Sequence, residues 1–151
     1  MTKDIKAILL SLVLLLLFAI YSAGTKASEY RATMHSSAAA YNVPESILYN
    51  IAYLESRFRE DVIHCRTLGT AGERGIMQIM PQYHSVDACN PEISIQYAAK
   101  YIFHLYTKTG TWWGAAASYN WGVGNYTKWK LKLKVMPHSV AWYATYVTRD
   151  L

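Results

Sequence analysis

Acidic residues are scarce in this chain of 151 residues: 10 Asp plus Glu stand against 15 Lys plus Arg, a formal net charge of +5. The excess is modest and the basic side chains are scattered, so an anionic surface is a better partner than a nucleic acid, and none of the latter is expected. No internal repeat and no low-complexity linker interrupts the sequence. With 52% apolar residues, this excludes fibrous architecture and intrinsic disorder and leaves one domain, large enough to bury a core and expected as a monomer. Cysteine is nearly absent, with only Cys65 and Cys89. Neither belongs to a CxxC pair, there is no HExxH, and His64 and His84 complete no ligand set at metal spacing. Neither metal nor cofactor is therefore expected.

Long apolar runs are also missing, except at the N-terminus. Lys3 and Lys6 form a short basic stretch, Ala7 to Ile20 an apolar one, and Ser22-Ala23-Gly24-Thr25-Lys26-Ala27 a small-residue one. This is the three-part layout of a secretory signal peptide. Cleavage after Ala27 or after Gly24 would satisfy the small-residue requirement. Extended through Gly24, the run reaches roughly the 18 residues at which an uncleaved membrane helix is viable. Residues 1–27 therefore read as a signal peptide or a signal anchor, with residues 7–24 as the stretch that would associate with a membrane. On either reading, the domain spanning residues 28–151 is exported, to the periplasm or the outer face of the inner membrane. Without Lys3, Asp4, Lys6 and Lys26 its net charge is +3. In that oxidising compartment a Cys65–Cys89 disulfide is the default expectation. A nucleophilic Cys65 with His84 as base is the rival reading.

The rest of the chain reads as helices. Val43-Pro44-Glu45 opens one, with proline in its first turn and an acid at the positive end of the dipole. Ile47, Leu48, Ile51, Leu54 and Phe58 follow at helical spacing. Glu55 falls inside this apolar arc, four residues after Ile51 and seven after Leu48, where a carboxylate is costly without a partner or a task. An ion pair with Arg59 one turn on would be the bland explanation, and a functional acid the other. Asn90-Pro91-Glu92 starts a second helix that Gly110 ends. Thr111 caps a third, terminated by Gly122 and Gly124, and Pro137 and Ser139 open a last one. The alternation Lys128-Trp129-Lys130-Leu131-Lys132-Leu133-Lys134 has the period of a strand, but nothing similar pairs with it. It is read as a solvated basic connection, and the fold class as all-α.

Three ordered motifs carry a family resemblance: Ile51-Ala52-Tyr53-Leu54-Glu55-Ser56-Arg57-Phe58, Gly75-Ile76-Met77-Gln78-Ile79-Met80-Pro81, and Ser118-Tyr119-Asn120-Trp121-Gly122. Together they resemble the soluble lytic transglycosylase domain of the goose-lysozyme-like superfamily, from about Tyr30 to the C-terminus. Met136-Pro137 with Tyr143 and Val147 is similar to the family's closing helix. The resemblance implies a single lysozyme-like domain that cleaves the β-1,4 bond between N-acetylmuramic acid and N-acetylglucosamine in peptidoglycan strands, leaving 1,6-anhydromuramic ends. Glu55 would be the acid and then the base, Ser56 would help orient it, and Tyr143 would reach toward it. Gln78, the backbone around Met77, and Asn120 would hold sugar amides, while Tyr119 and Trp121 would offer faces to sugar rings. Two departures stand out: Ser139-Val140 occupies the place of an acidic residue and threonine, and Glu73 adds a carboxylate beside the second motif. A surface ion pair with Arg74 or a neighbour is expected for Glu73. Were it in the cleft, a lysozyme-like hydrolysis would become available. A non-catalytic peptidoglycan-binding module is the alternative of another class.

Overall fold

The computed structural model describes residue 5, residues 8–15 and residues 29–151. The leader and its cleavage sites lie mainly outside these residues. Residues 8–15 are helical, and among the described residues no helix is long and apolar enough to cross a membrane. The chain divides into two compact units, residues 1–32 and 33–151, and the second carries the candidate chemistry.

Among the described residues from Arg31 on, seven helices follow one another: α1 (Arg31–Tyr41), α2 (Glu45–Ser56), α3 (Glu60–Ile63), α4 (Pro91–Thr109), α5 (Trp112–Trp121), α6 (Val123–Lys130) and α7 (His138–Val147). Among the described residues the only β-type pairing is an isolated antiparallel bridge between Arg74 and Ile79, so the all-α expectation holds. The helix ends follow from local chemistry. Asn90 accepts from the Ile93 N–H at the start of α4, and Gly110, with φ 76°, closes its other end in the left-handed region that glycine enters without penalty. Thr111 accepts from the Gly114 N–H to start α5. α7 begins at Pro137 without any side-chain cap, which matches the missing acid-threonine pair.

α5 is the central element, packing against α4, α6 and α7. Its Ala115, Ala116 and Ala117 are all fully buried, and such small side chains let neighbouring backbones approach closely. α2 buries Ile47, Leu48, Ile51 and Ala52 completely. Its Asn50, 1% exposed, donates to the Val147 carbonyl and to Asp150 Oδ2, fixing α2 against the end of α7. Residues 64–90 form a long connection without regular elements, and the Cys65–Cys89 disulfide, Cα–Cα 5.5 Å, ties its ends. The expected pairing is present, and Cys65 is thereby unavailable as a nucleophile.

Four readings are corrected. Phe58 is not part of the helix, because α2 stops at Ser56 and both Arg57 and Phe58 adopt positive φ. Arg59 pairs with Asp61, Nε to Oδ1 at 3.2 Å, so it does not answer Glu55. Gly124 lies inside α6, leaving Gly122 as the stop for α5. Lys128 and Lys130 belong to the last turn of α6, so only the latter part of the lysine stretch is a connection. The helix α1 carried no cap or stripe strong enough to be read from sequence.

Candidate active site

Glu55 sits in the last turn of α2, where the apolar face that it shares with Leu48 and Ile51 turns into the core. The residue is half-buried. Tyr143, 6% exposed on α7, donates its hydroxyl to Glu55 Oε1 at 2.6 Å. Loss of hydration pushes the Glu55 carboxyl up from its ordinary 4.5 to about 7, Tyr143 restrains the rise, and the charge of Glu73 adds to it. Burial wins because one hydrogen bond replaces only part of the water a carboxylate would hold. The result is an acid that keeps its proton near neutral pH beside a donor able to stabilise the anion left behind.

The second motif is folded into a tight turn. Arg74 and Ile79 exchange backbone hydrogen bonds of 3.0 and 2.9 Å, and Ile76 and Met77 plug the loop into the core with no exposed surface. Gly75 has φ 73° and lies so close to the Ala88 carbonyl that a Cβ could not be placed there. Gln78, also at positive φ, donates its amide to the Gly75 carbonyl at 2.9 Å, and its carboxamide oxygen lies over Gly69. The Met77 carbonyl accepts from the Tyr119 hydroxyl at 2.9 Å, joining the second motif to the third.

A cleft of about 360 Å³ opens on this junction. Gln78 and Tyr119 line it together with Asn120, Trp121 and Asn125 from α5 and α6, and with Met80, Tyr83, His84, Tyr97 and Tyr101. Glu55 is not among the lining residues. Tyr119 belongs to both regions, since burial and then the neighbouring Glu55 charge drive its phenol well above the ordinary value. His84 Nδ1 lies 2.7 Å from the Tyr97 hydroxyl, its ring meets Tyr101 edge-on at 4.8 Å, and Tyr101 approaches Tyr119 at 5.8 Å. Partial burial lowers the His84 pKa. This aromatic wall was not read from the sequence. Tyr97 and Tyr101 are one helical turn apart on α4, which was the available signal.

The residues singled out from sequence separate into groups. Glu55, Tyr143, Tyr119 and Met77 are linked by the contacts above, and Gln78, Asn120 and Trp121 line the cleft. Ser56 points elsewhere. At 2% exposure, its hydroxyl donates to the Ala52 carbonyl and accepts from the Phe58 N–H, so it locks the end of α2 and is closed to sugar. Met77 is likewise fully buried, leaving only its backbone at the site. Glu73 makes no ion pair with Arg74 among the described residues. Its carboxylate accepts from the Ala71 N–H at 2.9 Å and stands over Gly69 beside the Gln78 carboxamide. The expected surface pair gives way to a carboxylate on the active-site side. Among the described residues no group of three or more His, Cys, Asp or Glu could hold a metal ion.

A sequence profile of the transglycosylase SLT domain matches residues 32–139. Among solved structures, an inactive mutant of the lytic transglycosylase Slt from Pseudomonas aeruginosa superposes with a TM-score of 0.60 at 19% identity. The match covers 78% of this chain and 22% of that longer one, so the likeness is one of fold over a single domain. No curated protein matches the chain by sequence.

Proposed function

The chain belongs to the transglycosylase SLT domain family, and from that premise we propose that it is a peptidoglycan lytic transglycosylase. The observation that carries the reading is the Glu55 carboxyl, lifted to about 7 by burial and held at 2.6 Å by Tyr143. Glu55 protonates the glycosidic oxygen between N-acetylmuramic acid and N-acetylglucosamine, and the bond to the muramic C1 breaks. The acetamido group of the same sugar shields the developing cation, a departure from the two-carboxylate scheme. Glu55, now an anion stabilised by Tyr143, takes the proton of the muramic 6-hydroxyl, whose oxygen closes on C1. The product is a 1,6-anhydro end, and Glu55 returns to its protonated state with no water consumed. Gln78 and Asn120 hold sugar amides, since carboxamides donate and accept together, and Tyr119 and Trp121 pack against ring faces. No cofactor enters.

The site is proposed to work in an exported domain of residues 28–151, after a leader of residues 1–27, as a monomer in the periplasm or at the outer face of the inner membrane. The Cys65–Cys89 bridge supports an oxidising location. A lysozyme-like hydrolysis is the second reading, favoured by the carboxylate of Glu73 beside Gln78. A wall-binding module without activity would have no use for a half-buried carboxyl whose pKa is raised to about 7. Glu55→Gln keeps the shape and the Tyr143 bond but not the proton, and turnover on purified sacculi should fall by roughly 10⁴-fold or more with glycan binding retained. Activity within tenfold of wild type would remove Glu55 from the mechanism.

A further inference from the structure

The segment that follows α6 has a pattern that the chemistry above does not use. Leu131, Leu133 and Val135 are 63, 74 and 87% exposed, and Lys128, Lys130, Lys132 and Lys134 alternate with them, all exposed. The exposure is built in. Leu131, Lys132 and Leu133 donate backbone hydrogen bonds to Thr127, Trp129 and Lys128, and Lys132 takes a positive φ of 60° to make the turn. Lys134 Nζ donates to Asn125 Oδ1 at 2.8 Å and lies over the Trp121 ring at 5.1 Å, which pins the turn to the rim of the cleft. The other three lysines form no ion pair among the described residues, and the sequence holds no Asp or Glu between Glu92 and Asp150.

Three large aliphatic side chains held in water beside three cations without an ion pair suit a partner with an apolar phase directly beneath an anionic layer. A glycan strand has no such phase. A folded protein would need a flat complementary area of about 800 Å², whereas these side chains project from one short turn. We propose that residues 128–135 are a docking loop for an anionic lipid bilayer: the lysines meet headgroup phosphates while Leu131, Leu133 and Val135 enter the acyl boundary. Because Lys134 ties this turn to Asn125 and Trp121, docking would hold the cleft at the membrane surface, where newly made glycan strands emerge. Only that last consequence rests on the peptidoglycan reading.

The test uses the full chain carrying Leu133→Cys labelled with an environment-sensitive dye, so that attachment through residues 7–24 is common to every sample and the dye reports the loop alone. With vesicles containing phosphatidylglycerol the emission should shift to the blue and be quenched by lipids brominated on their acyl chains. With pure phosphatidylcholine it should stay aqueous. Replacing Lys128, Lys130 and Lys132 by Gln should reduce the ratio of inserted to solvated dye about 100-fold, roughly fivefold per lysine, and by less at high salt. In the same assay, Leu131→Ser with Val135→Ser should abolish the quenching. A dye that stays aqueous with phosphatidylglycerol, or shifts equally on both vesicles, overturns the proposal. Since no glycan is present, neither result bears on catalysis.

Discussion

Neutralising Glu55 should stabilise the protein while inactivating it, and the gain should depend on pH in a defined way. Folding lifts this carboxyl from 4.5 to about 7, which corresponds to about 3 kcal/mol of disfavoured ionisation. Between those two values the folded protein holds a proton that the unfolded chain has released. The Glu55 contribution to stability therefore falls as pH rises from about 4.5 to about 7, then stays level at its least favourable value. Below pH 4.5 both states are protonated and the penalty vanishes. In Glu55→Gln the carboxamide oxygen can still accept from Tyr143, no cavity forms, and no charge has to be buried at any pH. The variant should match wild type at pH 4 and exceed it by up to about 3 kcal/mol at pH 8, or roughly 10 °C in Tm for a domain of this size. Parallel urea or thermal melts of the two proteins at pH 4, 6 and 8 give the difference directly, and titrating groups that do not interact with Glu55 cancel in it. A variant no more stable than wild type at pH 8, or equally stabilised at every pH, would show that Glu55 is not held protonated by burial.

The Tyr143 hydroxyl restrains the rise of the Glu55 pKa, so Tyr143→Phe should push that pKa higher, move the alkaline limb of the pH–activity profile upward and lower the maximal rate by roughly tenfold or more; an unmoved limb would mean the bond is structural only. Reduction of Cys65–Cys89, separated by 24 residues, should remove about 3 to 4 kcal/mol of stability in the chain-entropy model, measured as a drop in Tm with and without reductant; no change would indicate that the 64–90 connection is held by its packing alone.

What could be read from the sequence was whatever short-range chemistry decides. Asn90-Pro91, Gly110, Thr111 and Gly122 mark helix ends because their caps are made within three or four residues, and each falls where expected. Glu55 stood out because a carboxylate on an apolar stripe conflicts with local pattern, and such conflicts gather at functional sites. Its partner was less legible. Arg59 is one turn away in sequence, but the chain leaves the helix at Arg57, and the hydrogen bond comes instead from Tyr143, 88 residues on. The same reason hid the cleft wall, since His84 and Tyr97 reach each other only when the disulfide-closed connection folds against α4. The orienting role of Ser56 came from the resemblance alone, and its hydroxyl is consumed by the helix end. Glu73 was expected to pair with the cation next to it in sequence, and a turn points it toward Gln78 instead.

Mass spectrometry of the fragments released from purified sacculi tests the central claim most directly. With Glu55 as the only carboxyl in the chemistry and no water consumed, wild type should release muropeptides with 1,6-anhydromuramic ends, one water lighter than hydrolysis products, and Glu73→Gln should release the same species at a similar rate. Reducing ends from wild type, together with a crippled Glu73→Gln, would contradict the transglycosylase reading and make the enzyme a hydrolase with two carboxylates.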